Sequence, residues 1–253
     1  MAKQLTEVQG LIYHRQRYRE ADVLAAMVTK ELGFITVLVR GGLRAKSKLA
    51  SATVNFSKGS YVVLQNGKGL AALRTVKRAE QIPALFSDLT KNAYASYCLD
   101  LTRHAFLEYE PLGRYYPLLM TVLDQIAQAS EANCEIWTQL LELRLLAAYG
   151  VAPNFQSCVV GGETRGVFDY SISAGGVVCS KHWAQVTSRL HLQPQTVALM
   201  RTLALVPLAK LGKISVSQQL ASASRQAVDR IYARTVDLNL ASKRFLDELR
   251  LLN

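Results

Sequence analysis

The sequence predicts an α+β protein: a small N-terminal barrel of five short strands, then a mainly α-helical remainder interrupted by one β-hairpin. Three observations carry that prediction. Five runs rich in β-branched and apolar residues fall within the first 80 residues. From Ile82 onward the hydrophobic period becomes helical. The charge divides at the same place. The 253 residues include 30 Lys/Arg and 19 Asp/Glu, a net +11, and half are hydrophobic, which is globular rather than disordered. Residues 1–80 hold 14 of the basic and 5 of the acidic side chains, a net +9, so the rest of the chain carries only +2. An excess so concentrated points to a polyanionic partner.

The strands follow in order. Val8, Leu11 and Ile12 open the first, which runs into the basic stretch His14 to Arg19 (HRQRYR). Asp22 to Thr29 (DVLAAMVT) forms the second, Gly33 to Val39 (GFITVLV) the third, Ser60 to Leu64 the fourth and Leu70 to Val76 the fifth. Between the third and fourth lies RGGLRAKSKL, Arg40 to Leu49. Two glycines free its backbone and four cations sit within nine residues, a composition that can follow a phosphate backbone. Tyr13, Tyr18, Phe34, Phe56 and Tyr61 are candidates to stack on bases. In a small barrel Phe34 and Phe56 read as core, whereas Tyr13 and Tyr18, which bracket the basic run, stay open between core and stacking.

The boundary near residues 78–82 divides the chain into a nucleic-acid-binding barrel, 1–80, and a helical domain, 81–253, with a hairpin insert at 151–182. Pro83 suits a first helical turn. Helices are expected over Pro83 to Leu107, Leu112 to Ser130 and Ala132 to Tyr149. In the last of these Trp137, Leu140, Leu141, Leu145 and Ala148 share one face, and Gly150 stops it. Residues 151–182 break the pattern with Pro153 and five glycines; alternating apolar residues from Val167 to Val178 predict a hairpin with Gly175 and Gly176 at a turn or bulge. Helices resume over Pro194 to Leu211 and Val216 to Asp237, with Ser215 and Ser217 as candidate N-caps, and a short one ends at Leu251.

No run of about 18 uncharged apolar residues occurs, and the start MAKQLTEVQG lacks the plan of a signal peptide, so the expected location is the cytoplasm. Cys98, Cys134, Cys158 and Cys179 then read as reduced thiols. The sequence has no GxSxG, GxxxxGK[ST], HExxH or strand-linked GxGxxG, and its four histidines are scattered, which favours a binding protein over an enzyme. Cys179 and His182 are spaced as a metal-ligand pair, but Cys158 has Gly161 where its partner would stand. Three ligands make a poor closed zinc site, so the expectation is a hairpin held by packing, with no cofactor and no metal. An open three-ligand zinc would need a nearby acid or base, and only Glu163 and Asp169 are close in sequence.

Three ordered motifs resemble the RecO family of bacterial recombination and repair mediators. The run YREADVLAAMVTKELGFITVLVRGGLRAKSKL, Tyr18 to Leu49, is similar to that family's N-terminal pattern and basic loop. The hairpin CVVGG...GVFDYSISAGGVVCSKH, Cys158 to His182, resembles its zinc-finger-like insert, and LNLASKRFLDEL, Leu238 to Leu249, its closing helix. The resemblance implies an N-terminal OB-fold that binds single- and double-stranded DNA, followed by a helical domain. It implies strand annealing and help in loading the RecA recombinase onto DNA coated with single-stranded DNA-binding protein, in partnership with RecR and often RecF, at the nucleoid. Arg40, Arg44, Lys46, Ser47 and Lys48 match the family's basic loop and carry the DNA-binding assignment; Arg15, Arg17 and Arg19 join them on charge alone. The chain departs from the family at its cysteines: many members carry four, and Gly161 and His182 stand at the second and fourth positions here. Two other readings share these features. An RNA-binding OB-fold protein associated with ribosomes or structured RNA would show the same charge split, and a metal-dependent enzyme would use Cys158, Cys179 and His182.

Overall fold

The computed structural model describes residues 4–44, 47–65, 67, 69–211, 214 and 216–252. Its N-terminal part is the expected barrel: β1 (Gln4–Tyr18), β2 (Asp22–Thr29), β3 (Gly33–Val39), β4 (Ser57–Gln65) and β5 (Ala71–Gln81) close in the order β1-β2-β3-β5-β4. This is the OB-fold, a five-stranded Greek-key barrel. All neighbours are antiparallel except β3 and β5, whose short parallel pairing of Val37 with Ala71 and Leu38 with Ala72 closes the ring. Alternate residues of every strand fill the interior, among them Val8, Ile12, Val23, Met27, Val37 and Val63. Phe34 and Phe56 are buried as expected. Tyr61 is fully buried too, its hydroxyl donating to the Ser57 carbonyl at 3.0 Å, so it is a core residue and no stacking platform.

The β3–β4 connection holds a short helix, α1 (Lys48–Ala52), where an open loop was expected. Beyond the barrel, the single helix expected from Pro83 is two, α2 (Pro83–Ser87) and α3 (Leu89–His104). The break falls at Asp88, whose carboxylate accepts the Lys91 backbone N–H at 3.1 Å and so starts a new helix by capping it. Then come α4 (Tyr115–Gln128), α5 (Glu131–Leu145), the hairpin β6 (Phe168–Ser171) and β7 (Gly176–Cys179), a 3₁₀ turn at Ser180–Gln185, and α6 (Pro194–Leu205), α7 (Gln218–Thr235) and α8 (Ala241–Leu252). Ser217 caps α7 by accepting the Leu220 N–H at 3.3 Å; Ser215 lies outside the described residues. No helix among the described residues is long and apolar enough to cross a membrane.

The chain divides into two compact units, Met1–Gln128 with Arg244–Asn253, and Ala129–Lys243. In the first, α4 packs on the barrel: Lys58 forms a 2.8 Å ion pair with Asp124, and the Tyr116 hydroxyl donates to the Gln9 carbonyl at 3.1 Å. In the second, α5 is the core. Instead of one apolar face, every residue from Ile136 to Leu143 is buried, polar Thr138, Gln139 and Glu142 included. Most of those polar groups are answered, although Gln139 Oε1 has no hydrogen-bond partner among the described residues, and Thr138 donates to the Cys134 carbonyl at 2.9 Å. Gln139 donates to the Ala221 carbonyl at 3.1 Å, Tyr232 donates to the Glu142 carbonyl at 2.8 Å, and Arg225 from α7 pairs with the Glu142 carboxylate. Arg225 also lies 3.5 Å from Glu135 and 2.9 Å from Asp229. Burial opposes its charge, but these carboxylates outweigh burial and hold its pKa well above the ordinary value.

Removing one member of a buried pair strands the other's charge. Arg225→Met is expected to destabilise the second unit by about 3–5 kcal/mol, and adding Glu142→Leu to recover most of that loss. Urea unfolding of the two variants measures both. Equal losses in the single and double variants would contradict this description of the pair.

Candidate nucleic-acid interface

Three strand ends meet at one mouth of the barrel. In the register, Arg17 of β1 stands opposite Val23 of β2, and Val23 opposite Val39 of β3, so the end of β1, the start of β2 and the end of β3 share a rim. The chain leaving β3 is tied to the β1–β2 turn. Gly41 N–H donates to the Asp22 carboxylate at 2.8 Å, Leu43 N–H to the Ala21 carbonyl at 2.9 Å, and the Arg15 guanidinium to the Gly42 carbonyl at 2.7 Å. Gly42 sits directly on the barrel interior: a Cβ there would lie 3.1 Å from both Val23 Cγ2 and Val39 Cγ1. Its lack of a side chain lets the loop close the mouth.

These ties bring the two sequence-predicted cation groups together. Arg17, Arg19, Arg40 and Arg44 are exposed on the shared rim. Arg15 is half-buried and anchors the loop, a structural duty its charge did not reveal. Arg19 lies over the Tyr18 ring at 5.1 Å, and Arg44 folds back along Gly41. Ser47 stands at the N-cap of α1 without a side-chain capping bond, and Lys48 is the first residue of that helix; Lys46 lies outside the described residues. Other N-terminal cations are neutralised, Lys58 by Asp124 and Lys77 by Glu7. Among the described residues Arg17, Arg40 and Arg44 have no acidic partner within ion-pair distance.

Of the two open tyrosines, Tyr13 meets Phe34 edge-on at 5.9 Å, and burial raises its phenol to about 12. Tyr18 stays at the rim beneath Arg19. On the outer face of β1, β2 and β3 a cleft of 320 Å³ is lined by Tyr13, His14, Leu24, Phe34, Thr36 and Arg103. His14 and Arg103 were not singled out from the sequence: His14 is one of four scattered histidines, and Arg103 comes from α3, beyond the basic segment. The strand 2–3 face and its flanking loops are where OB-folds take oligonucleotides.

A second donor group lies in the other unit. The turn from Cys158 to Glu163 is closed by Cys158 N–H to the Glu163 carbonyl at 2.8 Å and Gly162 N–H to the Cys158 carbonyl at 2.9 Å, and Val159 N–H to the Val177 carbonyl ties it to β7 at 2.9 Å. It delivers Cys158 to Cys179 and His182. His182 Nδ1 is 3.5 Å from Cys158 Sγ and 3.2 Å from Cys179 Sγ. Glu163, which the sequence placed close by only as a possible acid or base, lies with them: one potential donor atom from each of the four residues falls within 4.8 Å of the others. Burial pushes the Cys158 thiol up, yet backbone N–H groups of Gly161, Cys179 and Val160, with His182, bring it down to about 7. Burial, with Cys158 alongside, raises Cys179. The Glu163 carboxyl is lowered, first by its own backbone N–H and then by Cys179, His182 and Lys181.

A closed OB-fold barrel whose unpaired arginines converge on one mouth, followed by helices, defines the architecture of a basic OB-fold protein with an appended helical region. Comparison with known proteins agrees along the whole chain. Residues 1–82 match the family model "Recombination protein O N terminal" and residues 86–244 match "Recombination protein O C terminal". Similar proteins include those named DNA repair protein RecO from Lactobacillus acidophilus, 51% identical over 99% of this chain and 100% of that one, and from Levilactobacillus brevis, 35% identical over 99% and 95%. The chain belongs to the RecO family of DNA repair proteins.

Arg15→Ala removes a charged hydrogen bond to the loop, whereas Arg17→Ala removes only an exposed cation. The first is expected to lower stability by about 1–2 kcal/mol and the second to leave it within about 0.5 kcal/mol. Paired urea melts check this, and equal effects would mean that Arg15 does not anchor the loop.

Proposed function

We propose that this chain is a recombination mediator that binds DNA at the β1–β2 turn, the β3–β4 loop and the adjoining strand face, anneals complementary strands, and helps load the recombinase onto DNA coated with single-stranded DNA-binding protein. The observation that carries the reading is the convergence of Arg17, Arg19, Arg40 and Arg44 on one barrel mouth, while Lys58 and Lys77, farther along the strands, are paired with carboxylates. Membership of a DNA repair family supports the same direction.

The mechanism is association without covalent chemistry. Guanidinium and ammonium groups replace the counterions condensed on phosphates, and their release supplies a sequence-independent, salt-sensitive affinity. Arg planes and Tyr18 offer stacking surfaces to unpaired bases. Two strands held on one cationic surface repel each other less, which favours pairing. Arg40, Arg44, Lys46, Ser47 and Lys48 form the loop contact in this reading, and Arg17 and Arg19 extend it, with Arg15 holding the loop in place. The helices are the docking surface for RecR and single-stranded DNA-binding protein in this reading, with RecF and RecA as further partners.

Arg44→Ala with Lys46→Ala and Lys48→Ala is expected to weaken DNA binding and to flatten the dependence of log affinity on log salt by roughly two to three. Lys58→Ala with Lys77→Ala, which removes paired cations, should leave that slope nearly unchanged. Fluorescence anisotropy titrations at several salt concentrations measure both. An unchanged slope in the triple variant would remove the loop from the footprint. Competition with single-stranded RNA of equal length separates the RNA-binding reading: RNA that displaces DNA at much lower concentration would favour it.

A further inference from the structure

The resemblance to RecO proteins implies a zinc-finger-like insert, but this chain has Gly161 where that insert has its second cysteine. Three structural observations show what stands in its place. First, the Cys158, Cys179 and His182 donor atoms are spaced as the edges of a tetrahedron around zinc: bond lengths of about 2.0–2.3 Å put donor atoms about 3.5 Å apart, against 3.5 Å and 3.2 Å here. Glu163 Oε2 lies 3.6 Å from His182 Nδ1, a further edge of the same figure. Second, that Oε2 atom is buried and accepts no hydrogen bond. A buried carboxylate oxygen without a donor is costly, and more so beside two cysteine sulfurs, unless a cation lies among them. Third, a Cβ at Gly161 would lie 2.2 Å from His182 Cε1 and 2.4 Å from Glu163 Oε2. The space a side chain at 161 would use is filled by the imidazole and the carboxylate.

We propose that Glu163 is the fourth ligand of a structural zinc site completed by Cys158, Cys179 and His182, the ligand having moved two residues along the turn as position 161 became glycine. The site is closed, with three of its donors anionic in the metal-bound form and no position left for water, which suits a fold-holding ion rather than a catalytic one. Its second shell is in place. The Cys179 backbone N–H donates to Cys158 Sγ at 3.3 Å. Arg201 of α6 grips the turn from outside by donating to the carbonyls of Phe155 and Gln156, each at 2.9 Å, and of Thr164 at 3.2 Å, and lies 4.5 Å above the Phe168 ring. Because Arg201 holds the turn independently of the ion, the donor set stays assembled when one ligand is changed, so ligand variants report on the metal and not on the fold.

The test uses the full chain. Its zinc content is measured after gel filtration, and zinc is then exchanged for cobalt(II), whose visible absorption reports coordination number and thiolate count. One zinc per chain and a tetrahedral cobalt spectrum with two thiolates are expected. Glu163→Gln, which keeps the shape and removes the charge, should weaken cobalt affinity by more than about tenfold. Glu163→Cys should restore the affinity and add a third thiolate to the charge-transfer band, a gain that no purely structural role of Glu163 would produce. Near-ultraviolet circular dichroism confirms that each variant is folded. A wild-type chain that takes up neither metal would overturn the proposal. So would a folded Glu163→Gln variant with unchanged cobalt affinity and spectrum, since the fourth ligand would then lie elsewhere.

Discussion

The ring order of the barrel is the constraint on which the interface depends. β3 lies between β2 and β5, whereas β4 lies between β5 and β1, so the chain leaving Val39 must cross an end of the barrel before it can enter β4 at Ser57. The described residues of this crossing, 40–44 and 47–56, therefore run over one mouth rather than forming a free loop. Gly42 seals the interior, Leu49 packs against the core, and Thr53 and Phe56 are buried at the far end of the crossing. Arg40 and Arg44 are presented beside the β1–β2 turn, because the start of the crossing is pinned there by Asp22, Ala21 and Arg15. Topology positions the charge, and the sequence only has to supply it.

Charge alone does not identify the footprint. Fourteen Lys/Arg lie in the first 80 residues, and six of them already divide among three different jobs. Lys58 and Lys77 tie strands to acidic neighbours, Arg15 fastens a loop, and Arg17, Arg40 and Arg44 face solvent without an acidic partner among the described residues. A phosphate competes poorly for a cation already neutralised by a carboxylate, so the third group dominates any polyanion contact.

What could be read from the sequence follows physical locality. β2 and β3 have the bounds their unbroken apolar patterns predict, and the hairpin turns through residues 172–175, ending at Gly175, with Gly176 opening β7 opposite Ser171. The family, too, was legible in ordered motifs. The failures involve contacts distant in sequence or weak local signals. The helix α1 begins in the polar stretch KSKLASA, which has no periodic apolar face. Asp88 ends one helix and caps the next inside a continuous helical pattern. The apolar face of α5 was legible, but the burial of Glu142 was not, because Arg225, which neutralises it, is 83 residues away. The proximity of Glu163 to Cys158, Cys179 and His182 was not legible because its spacing from Cys158 matches no cysteine pattern, and only the folded turn brings its carboxylate beside them.

In the proposed mechanism one cationic barrel mouth acts on DNA while the helices act on the protein that coats it. Annealing of two complementary oligonucleotides, bare and coated with single-stranded DNA-binding protein, followed at low and high salt, tests both halves in one measurement. The account predicts acceleration on both substrates at low salt and its loss as salt rises. Absence of acceleration on either substrate at low salt would contradict it.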